Sequence, residues 1–463
     1  MATNTSTRRA AFCLAVFCLG AGLTDAHAGT PTPFAPRPTG ETLYRDATLF
    51  DGTGAVPQLH MNVLVEGPRI KAVFRDGPKS PDVTSAAVVD LRGHFLMPGI
   101  IDSHVHLATP PNRRQAEAML RRDLFGGVTA VRDMADDLRS LGDVTRAMLV
   151  GETPGADVYY AALMAGPDFF TDPRTIQVTA GAEPGHVPWM QAITAKTDIR
   201  LAVAMARGTY ATGIKLYADL PADLVGRITA EAHRQHILVW THATIFPSKP
   251  SDAVDAGVDT ISHSCLLIYE AATHPGDSVA HRVDVALDQF RNADSPVLAA
   301  LFKDMVKRHT ILDATVWTYA AIQNNPRSNP QVARHKCDGE IGAAITRQAY
   351  LAGVDISTGT DNPATWDDRW PDVFHEIDWQ VNHAHIPIAA VLRSATLIGA
   401  RAAGQEKDMG TIVPGKLANM IVLAKNPLVD LENLKTVEFT VKRGRVFMRK
   451  DYTPLKIGDI TDF

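Results

Sequence analysis

The residue types in this chain best suited to hold a metal stand one apart in FLMPGIIDSHVHL, residues 95–107, as His104 and His106. Side chains alternate across a strand with a period of two, so both imidazoles project to the same side. Two neutral imidazoles from one strand end make a seat for a borderline cation such as zinc, with metal–nitrogen distances of roughly 2.0 to 2.1 Å. A chance H-x-H in an ordinary strand is the competing reading, and the downstream sequence decides between them. Strand-like runs there also end in metal-competent side chains: Lys215 within TGIKLYAD, His242 after ILVWT, His263 after VDTIS and Asp361 after DISTGT. Six such groups suffice for two divalent ions if the strand ends share one pocket. Nitrogen and oxygen donors suit zinc first, and also accept manganese, cobalt or iron.

Lys215 sits between Ile214 and Leu216 in a strand of buried character, where an ordinary surface lysine would be costly. Tyr217 shares its strand face and is a candidate to reach substrate or a developing oxyanion, with packing as the alternative. Arg132, after a second strand, is a candidate to bind a substrate carboxylate or to orient ligands; an internal ion pair with its surroundings is the other reading. Trp317, Trp366 and Trp370 are candidates to wall an apolar pocket. His233, His236, His383 and His385 lie in helical or polar stretches and read as surface or supporting residues.

Convergence of these groups requires parallel strands. Between about 97 and 400, short apolar runs alternate with helical stretches: GVTAVRD then DDLRSLGDVTRAMLVG, TGIKLYAD then ADLVGRITAEAHRQH, ILVWTHA then PSDAVDAG. That alternation predicts an α/β fold of the (β/α)8 TIM-barrel type, with the site at the C-terminal strand ends. Residues 270–335 are rich in breaks and do not reveal their strands. Residues 41–96 and 401–463 are short β-rich pieces punctuated by Asp-Gly, Gly-Pro and Arg-Gly, which predicts a small β-sandwich built from both terminal segments.

The start of the chain has a different character. Arg8 and Arg9 precede the apolar run AAFCLAVFCLGAGL, and Ala26-His27-Ala28 offers small residues at a cleavage site, so residues 1–28 read as a secretory signal peptide. The run is about 14 residues against the roughly 20 that a bilayer needs. Phe17 before Cys18 is too bulky for a lipoprotein site. Residues 29–40, GTPTPFAPRPTG, form a Pro-rich linker. The expected address is therefore periplasmic or secreted. After cleavage only Cys265 and Cys337 remain, which permits one disulfide without requiring it and does not make a disulfide framework. A net charge of −5 with 21% charged residues offers no basic stripe, so nucleic acid and anionic membranes are poor partners. A homo-oligomer is compatible with all of this.

The element DATLFDGTG, the strand PGIIDSHVHL, the following GGVTAVRD and the C-terminal GTIVPGKLANMIVL together resemble the amidohydrolase superfamily, and the likeness spans about residues 41–450. Within it the chain is most similar to the branch of imidazolonepropionase-like proteins and Xaa-Pro dipeptidases. The resemblance implies a barrel flanked by a β-sandwich and a binuclear centre bridged by a carboxylated lysine and a hydroxide. Position by position, it implies one metal at His104, His106 and Asp361, a second at His242 and His263, and Lys215 between them as its carbamate. It further implies Asp361 as general base and acid in cleaving a carbon–nitrogen bond of a small amide or dipeptide-like molecule. A lactone or cyclic amide hydrolase and a mononuclear deaminase are the enzymatic alternatives. A non-catalytic metal-binding barrel is the alternative of another class.

Overall fold

The computed structural model describes residues 40–324, 337–361 and 368–454. The expected signal peptide, the linker up to residue 39 and Trp366 lie outside the described residues. From the N-terminus run β1 (Glu41–Leu49), β2 (Gln58–Glu66), β3 (Arg69–Phe74), β4 (Ala87–Asp90) and β5 (Phe95–Pro98). Then come β6 (Ile100–Val105), β7 (Val128–Asp133), β8 (Asp157–Ala165), the short pair β9 (His186–Val187) and β10 (Met190–Ala192), β11 (Gly213–Leu216), β12 (Leu238–His242), β13 (Thr260–Ser262), β14 (Ile311–Asp313) and β15 (Ile356–Ser357). The chain ends with β16 (Met420–Leu423), β17 (Val437–Lys442) and β18 (Arg445–Met448).

Both chain ends share one sheet in the order β18-β17-β16-β5-β1-β2-β3, with β4 beside β1. The first half of β1 pairs with β4 and its last residues with β5. The sheet encloses its own core of alternating inward residues, among them Tyr44, Leu49, Val63, Val65, Leu96, Met420, Val422 and Val441. Each such side chain contributes about 1.5 to 3 kcal/mol on burial. The pairing of β5 with β16 ties residues 95–98 to 420–423 and so fixes where the barrel begins.

The barrel strands run in parallel register β6-β7-β8-β11-β12-β13-β14-β15. Closure onto β6 comes from the Ser103 N–H donating to the Thr358 carbonyl at 2.7 Å and the Asp361 N–H to the His104 carbonyl at 2.9 Å. Two glycines permit this closeness. A Cβ on Gly99 would stand 2.2 Å from the Thr129 side chain. One on Gly359 would stand 2.3 Å from the Asp313 carboxylate and 2.6 Å from the His104 Cβ. The crossovers include helices Leu138–Val150, Ile199–Gly208 and Ala222–Arg234. Asp137 and Asp198 cap the first two by accepting backbone N–H groups. The third buries Leu224, Val225, Ile228, Thr229 and Ala232 against the strands, the one-sided stripe that a helical period dictates.

In the stretch the sequence left unread, Pro296–Arg308 is a helix and β14 follows it. A three-residue strand is too short to display a period. Cys265 and Cys337 form a disulfide across 72 residues of chain, a pairing that the sequence permitted without requiring it. It fastens the turn after His263 to the start of the helix Gly339–Leu351. Among the described residues no helix is long and apolar enough to cross a membrane.

Candidate metal centre

All six predicted ligands meet at the C-terminal ends of the barrel strands. His104 lies in β6 and is buried, with its Nε2 3.4 Å from Asp361 Oδ1. His106, just beyond β6, is half-buried and brings its Nε2 to 3.5 Å from the same oxygen. Donor atoms of these three residues all lie within 4.8 Å of one another, close enough to share one ion. His263 places Nδ1 3.6 Å from Asp361 Oδ2 and its ring centroid 5.0 Å from that of His104. His242, the last residue of β12, puts its ring 4.6 Å from that of His263.

Two of these residues sit in the left-handed region of backbone space, His263 at φ 79° and Asp361 at φ 46°. Such a conformation costs on the order of 1 to 3 kcal/mol per residue, and this packing holds both side chains toward the pocket despite it.

Burial sets the charge of the cluster. It pushes the His104 imidazole down to about 4, helped by Lys215, and His263 down to about 3. His242 is driven well below its ordinary value by the same burial and by its neighbour His263. Neutral imidazole is the form that binds metal. For His106 burial works in the same direction, but the carboxylates of Asp136 and Asp361 prevail and raise it. Burial would raise Asp361, yet His104, His106 and His263 hold its carboxyl far below the usual range, so it is an anion.

Lys215 is fully buried in β11, and its Nζ has no hydrogen-bond partner among the described residues. Burial lowers its ammonium to about 7. An unpaired buried ammonium is among the costliest groups a core can hold, so this nitrogen is poised for a partner that the described residues do not supply. The donor set and this orphaned nitrogen together fit divalent metal.

Behind the cluster stands a carboxylate that the sequence reading missed. Asp313, at the end of β14, accepts from His104 Nδ1–H at 2.7 Å, from Arg132 at 3.0 Å and from Ser262 Oγ at 2.9 Å, all on Oδ2. It is fully buried, and Arg132 and His104 overcome burial to keep it ionised. The signal was present: TILDAT is another apolar run ending in a carboxylate, by the rule that found the ligands. Asp136 likewise backs His106, accepting from its Nδ1 at 3.0 Å, and Thr315 Oγ1 lies 2.9 Å from His263 Nδ1.

Arg132 is corrected by its position. It is fully buried, donates Nε–H to the Ser103 carbonyl at 2.5 Å and pairs with Asp313, beneath the ligands rather than beside a substrate. Tyr217 does face the pocket: its ring lies 3.9 Å from that of His242 and stacks on Phe169 at 4.5 Å. Trp317 stacks on His375, whereas Trp370 carries Arg449 over its ring and belongs to the contact with the terminal segment. His233 pairs with Asp259 and His383 with Glu340, both away from the cluster, and His236 and His385 are exposed.

The family model described as the amidohydrolase family matches residues 95–447. A similar curated protein is the 5-methylthioadenosine/S-adenosylhomocysteine deaminase of Teredinibacter turnerae, 24% identical over 397 residues that cover 80% of each chain. A solved Xaa-Pro dipeptidase with bound methionine in the active site superposes with a TM-score of 0.70 at 21% identity, covering 88% of this chain and 100% of its own. The ochratoxinase of A. niger gives 0.68 at 19% identity, covering 90% and 98%. The matched region runs from β5 through most of β18 and takes in all six clustered side chains, so this chain belongs to the amidohydrolase family and is an enzyme acting on carbon–nitrogen bonds.

Proposed function

We propose that this enzyme hydrolyses the amide bond of a small, dipeptide-like molecule outside the cytoplasm, using two divalent cations. The observation that carries the reading is Lys215, fully buried with an orphaned Nζ amid four histidines and Asp361. His104, His106 and Asp361 would hold one cation, and His242 and His263 the other. The neutral Lys215 amine, accessible because burial depresses its ammonium, attacks the carbon of carbon dioxide. A nitrogen–carbon bond forms and a proton leaves to solvent. The resulting carbamate would carry one negative charge and two oxygens, donors that suit divalent cations.

When bound, a pair of divalent cations supplies hydroxide near neutral pH and polarises the carbonyl under attack. Asp361 accepts the proton released as the new carbon–oxygen bond forms and returns it to the nitrogen as the carbon–nitrogen bond breaks. Asp313 holds His104 in the Nδ1–H tautomer, leaving Nε2 as the ligand atom. Tyr217, at the rim against His242, is placed to donate its hydroxyl to the developing oxyanion. Export is supported by the first 28 residues and agrees with the Cys265–Cys337 disulfide, a bond that persists in oxidising compartments.

The relatives named as deaminases favour a second reading, release of ammonia from a purine, but a buried lysine with no hydrogen-bond partner among the described residues has no task in a mononuclear site. Elemental analysis of protein purified without chelator, alongside amine and ammonia release from dipeptides, N-acyl amino acids and thioadenosines, separates the two. About two metals per chain with amine release is expected. One metal with ammonia release establishes the deaminase, and no metal after reconstitution ends both readings.

A further inference from the structure

The chain leaving β14 touches three of the clustered ligands, each carried by a different strand. Asp313 bonds His104 in β6, Thr315 bonds His263 just beyond β13, and Thr318 bonds Asp361 beyond β15. The first two bonds reach imidazole rings. The third is of another kind, because Thr318 Oγ1–H donates to the backbone carbonyl of Asp361, at 2.8 Å and across 43 residues of chain.

Thr318 is buried in the first turn of the helix Val316–Asn324. A threonine inside a helix commonly returns its hydroxyl to the carbonyl four residues back, as Thr229 does to Val225 at 2.8 Å and Thr346 to Gly342 at 2.7 Å. Four residues before Thr318 stands Ala314, whose carbonyl accepts the Ser264 N–H at 3.0 Å. The Thr318 hydroxyl goes to Asp361 instead. Its helix is held in place by other contacts: Glu376 accepts the Trp317 N–H at 2.8 Å, and the Tyr319 ring stands edge-on to that of His263 with centroids 6.4 Å apart.

Asp361 has need of such a partner. Its backbone is left-handed at φ 46°, a region that a residue with a Cβ occupies only under constraint. The chain is fixed as far as its nitrogen. The Asp361 N–H donates to the His104 carbonyl at 2.9 Å, and Thr360 gives its N–H and Oγ1–H to the buried Asp102 carboxylate at 3.1 and 2.9 Å. Rotation about the next bond, N–Cα, swings the carbonyl carbon and the Cβ together. A bond that holds the carbonyl therefore holds the direction of the carboxylate, and among the described residues Thr318 is the side chain that makes it. Relaxation to an ordinary negative φ would turn the Cβ by about 100°, away from the histidines.

We infer that Thr318 is a positioning residue: by holding the Asp361 carbonyl it keeps that residue left-handed and its carboxylate among His104, His106 and His263. The inference rests on the reading of Asp361 as ligand and proton carrier given above, and adds the group that keeps it in place.

The test uses the full chain, stripped of metal and titrated with cobalt(II) against a chelator. The visible spectrum of the cobalt-loaded protein, amide turnover and a melting curve are read alongside. Thr318→Val removes the hydroxyl at nearly constant volume, and Thr318→Ala removes it without setting a methyl against the carbonyl. Each is expected to bind cobalt ~10- to 100-fold more weakly, to shift the visible band, and to lower kcat by a similar factor with little change in KM. Thr318→Ser, which keeps the donor, recovers all three. Thr229→Val, which deletes a buried hydroxyl whose bond stays within its own helix, binds cobalt as wild type does. A folded Thr318→Val or Thr318→Ala protein with wild-type cobalt affinity and spectrum overturns the inference, as does a Thr318→Ser protein no better than Thr318→Ala. Loss of folding in both Thr318→Val and Thr318→Ala overturns it as well, since Thr318 would then support the fold and not Asp361. The cobalt measurements need no substrate: if no amide is cleaved, the amide-hydrolase reading falls while Thr318 is still decided.

Discussion

The two sides of the ligand cluster are built differently. On the side of His104, His106 and Asp361, each imidazole has a carboxylate behind it, Asp313 or Asp136, and Arg132 anchors the first of these from below. On the side of Lys215 and His242, neither the His242 ring, which packs on Tyr217, nor the Lys215 Nζ makes a hydrogen bond to a described residue. One half is preorganised by the protein, with ring tautomer and orientation set before any ion arrives. On the proposed binuclear reading, the other half is completed by groups that the described residues do not supply. The cost of that incompleteness is carried by the barrel, whose packed strands hold an unpaired amine where solvent cannot reach it.

The sharpest way to break this contrast is Lys215→Ala. If the unsatisfied half depends on a carbamate, the variant loses at least one metal per chain by elemental analysis, and turnover falls by about 10³-fold or more. Full metal and full activity in this variant would end the binuclear reading. Asp361→Asn strikes the junction of the two halves. It is expected to leave the melting curve close to wild type and lower kcat by ~10²- to 10⁴-fold, the range for a lost general base.

Removing the support alone gives a smaller effect and separates the two backing carboxylates. Asp313→Asn is expected to weaken metal binding by ~10- to 100-fold in a chelator competition. It also lowers stability by about 3 to 5 kcal/mol, because Arg132 stays buried with its anion gone. Asp136→Asn, behind the half-buried His106, is expected to do less on both counts. Equal effects from the two variants would erase the distinction between them.

The last effect concerns pH and not metal: Glu376, buried near the supported side, accepts the Trp317 N–H at 2.8 Å and the Gln380 amide at 2.9 Å. Burial raises its carboxyl to about 8. Its folded value exceeds the unfolded one, so the folded state binds the extra proton. The stability this contributes is present at low pH and lost as pH rises between roughly 4.5 and 8, by at most about 1.4 kcal/mol per pH unit. Glu376→Gln removes the titration. Melting temperatures taken from pH 5 to 8.5 are expected to fall less in the variant, and parallel curves would rule this out.

Much of the centre was legible in the sequence because a strand has a period of two. His104 and His106, and Lys215 and Tyr217, share a face by spacing alone, and each ligand ends an apolar run, which is what a barrel mouth requires. Asp313 escaped although TILDAT ends an apolar run in a carboxylate, because it lies in the break-rich stretch 270–335 whose strands the sequence did not reveal. Arg132 was placed at a strand end, but nothing local told whether its long side chain points into the pocket or beneath it. The disulfide was equally out of reach, since two cysteines 72 residues apart carry no record of being neighbours.

By itself the sequence determined what depends on neighbours along the chain: alternating strands and helices, β-rich ends, the identity of six metal-competent side chains and the face each one shares. Tertiary structure alone decided what depends on partners far away. His104 finds Asp313 across 209 residues, and Arg132 finds the same carboxylate across 181. The Val279 N–H finds the Asp219 carboxylate across 60. Local periodicity dictates which way a side chain leaves the backbone, whereas closure of the barrel dictates what it meets.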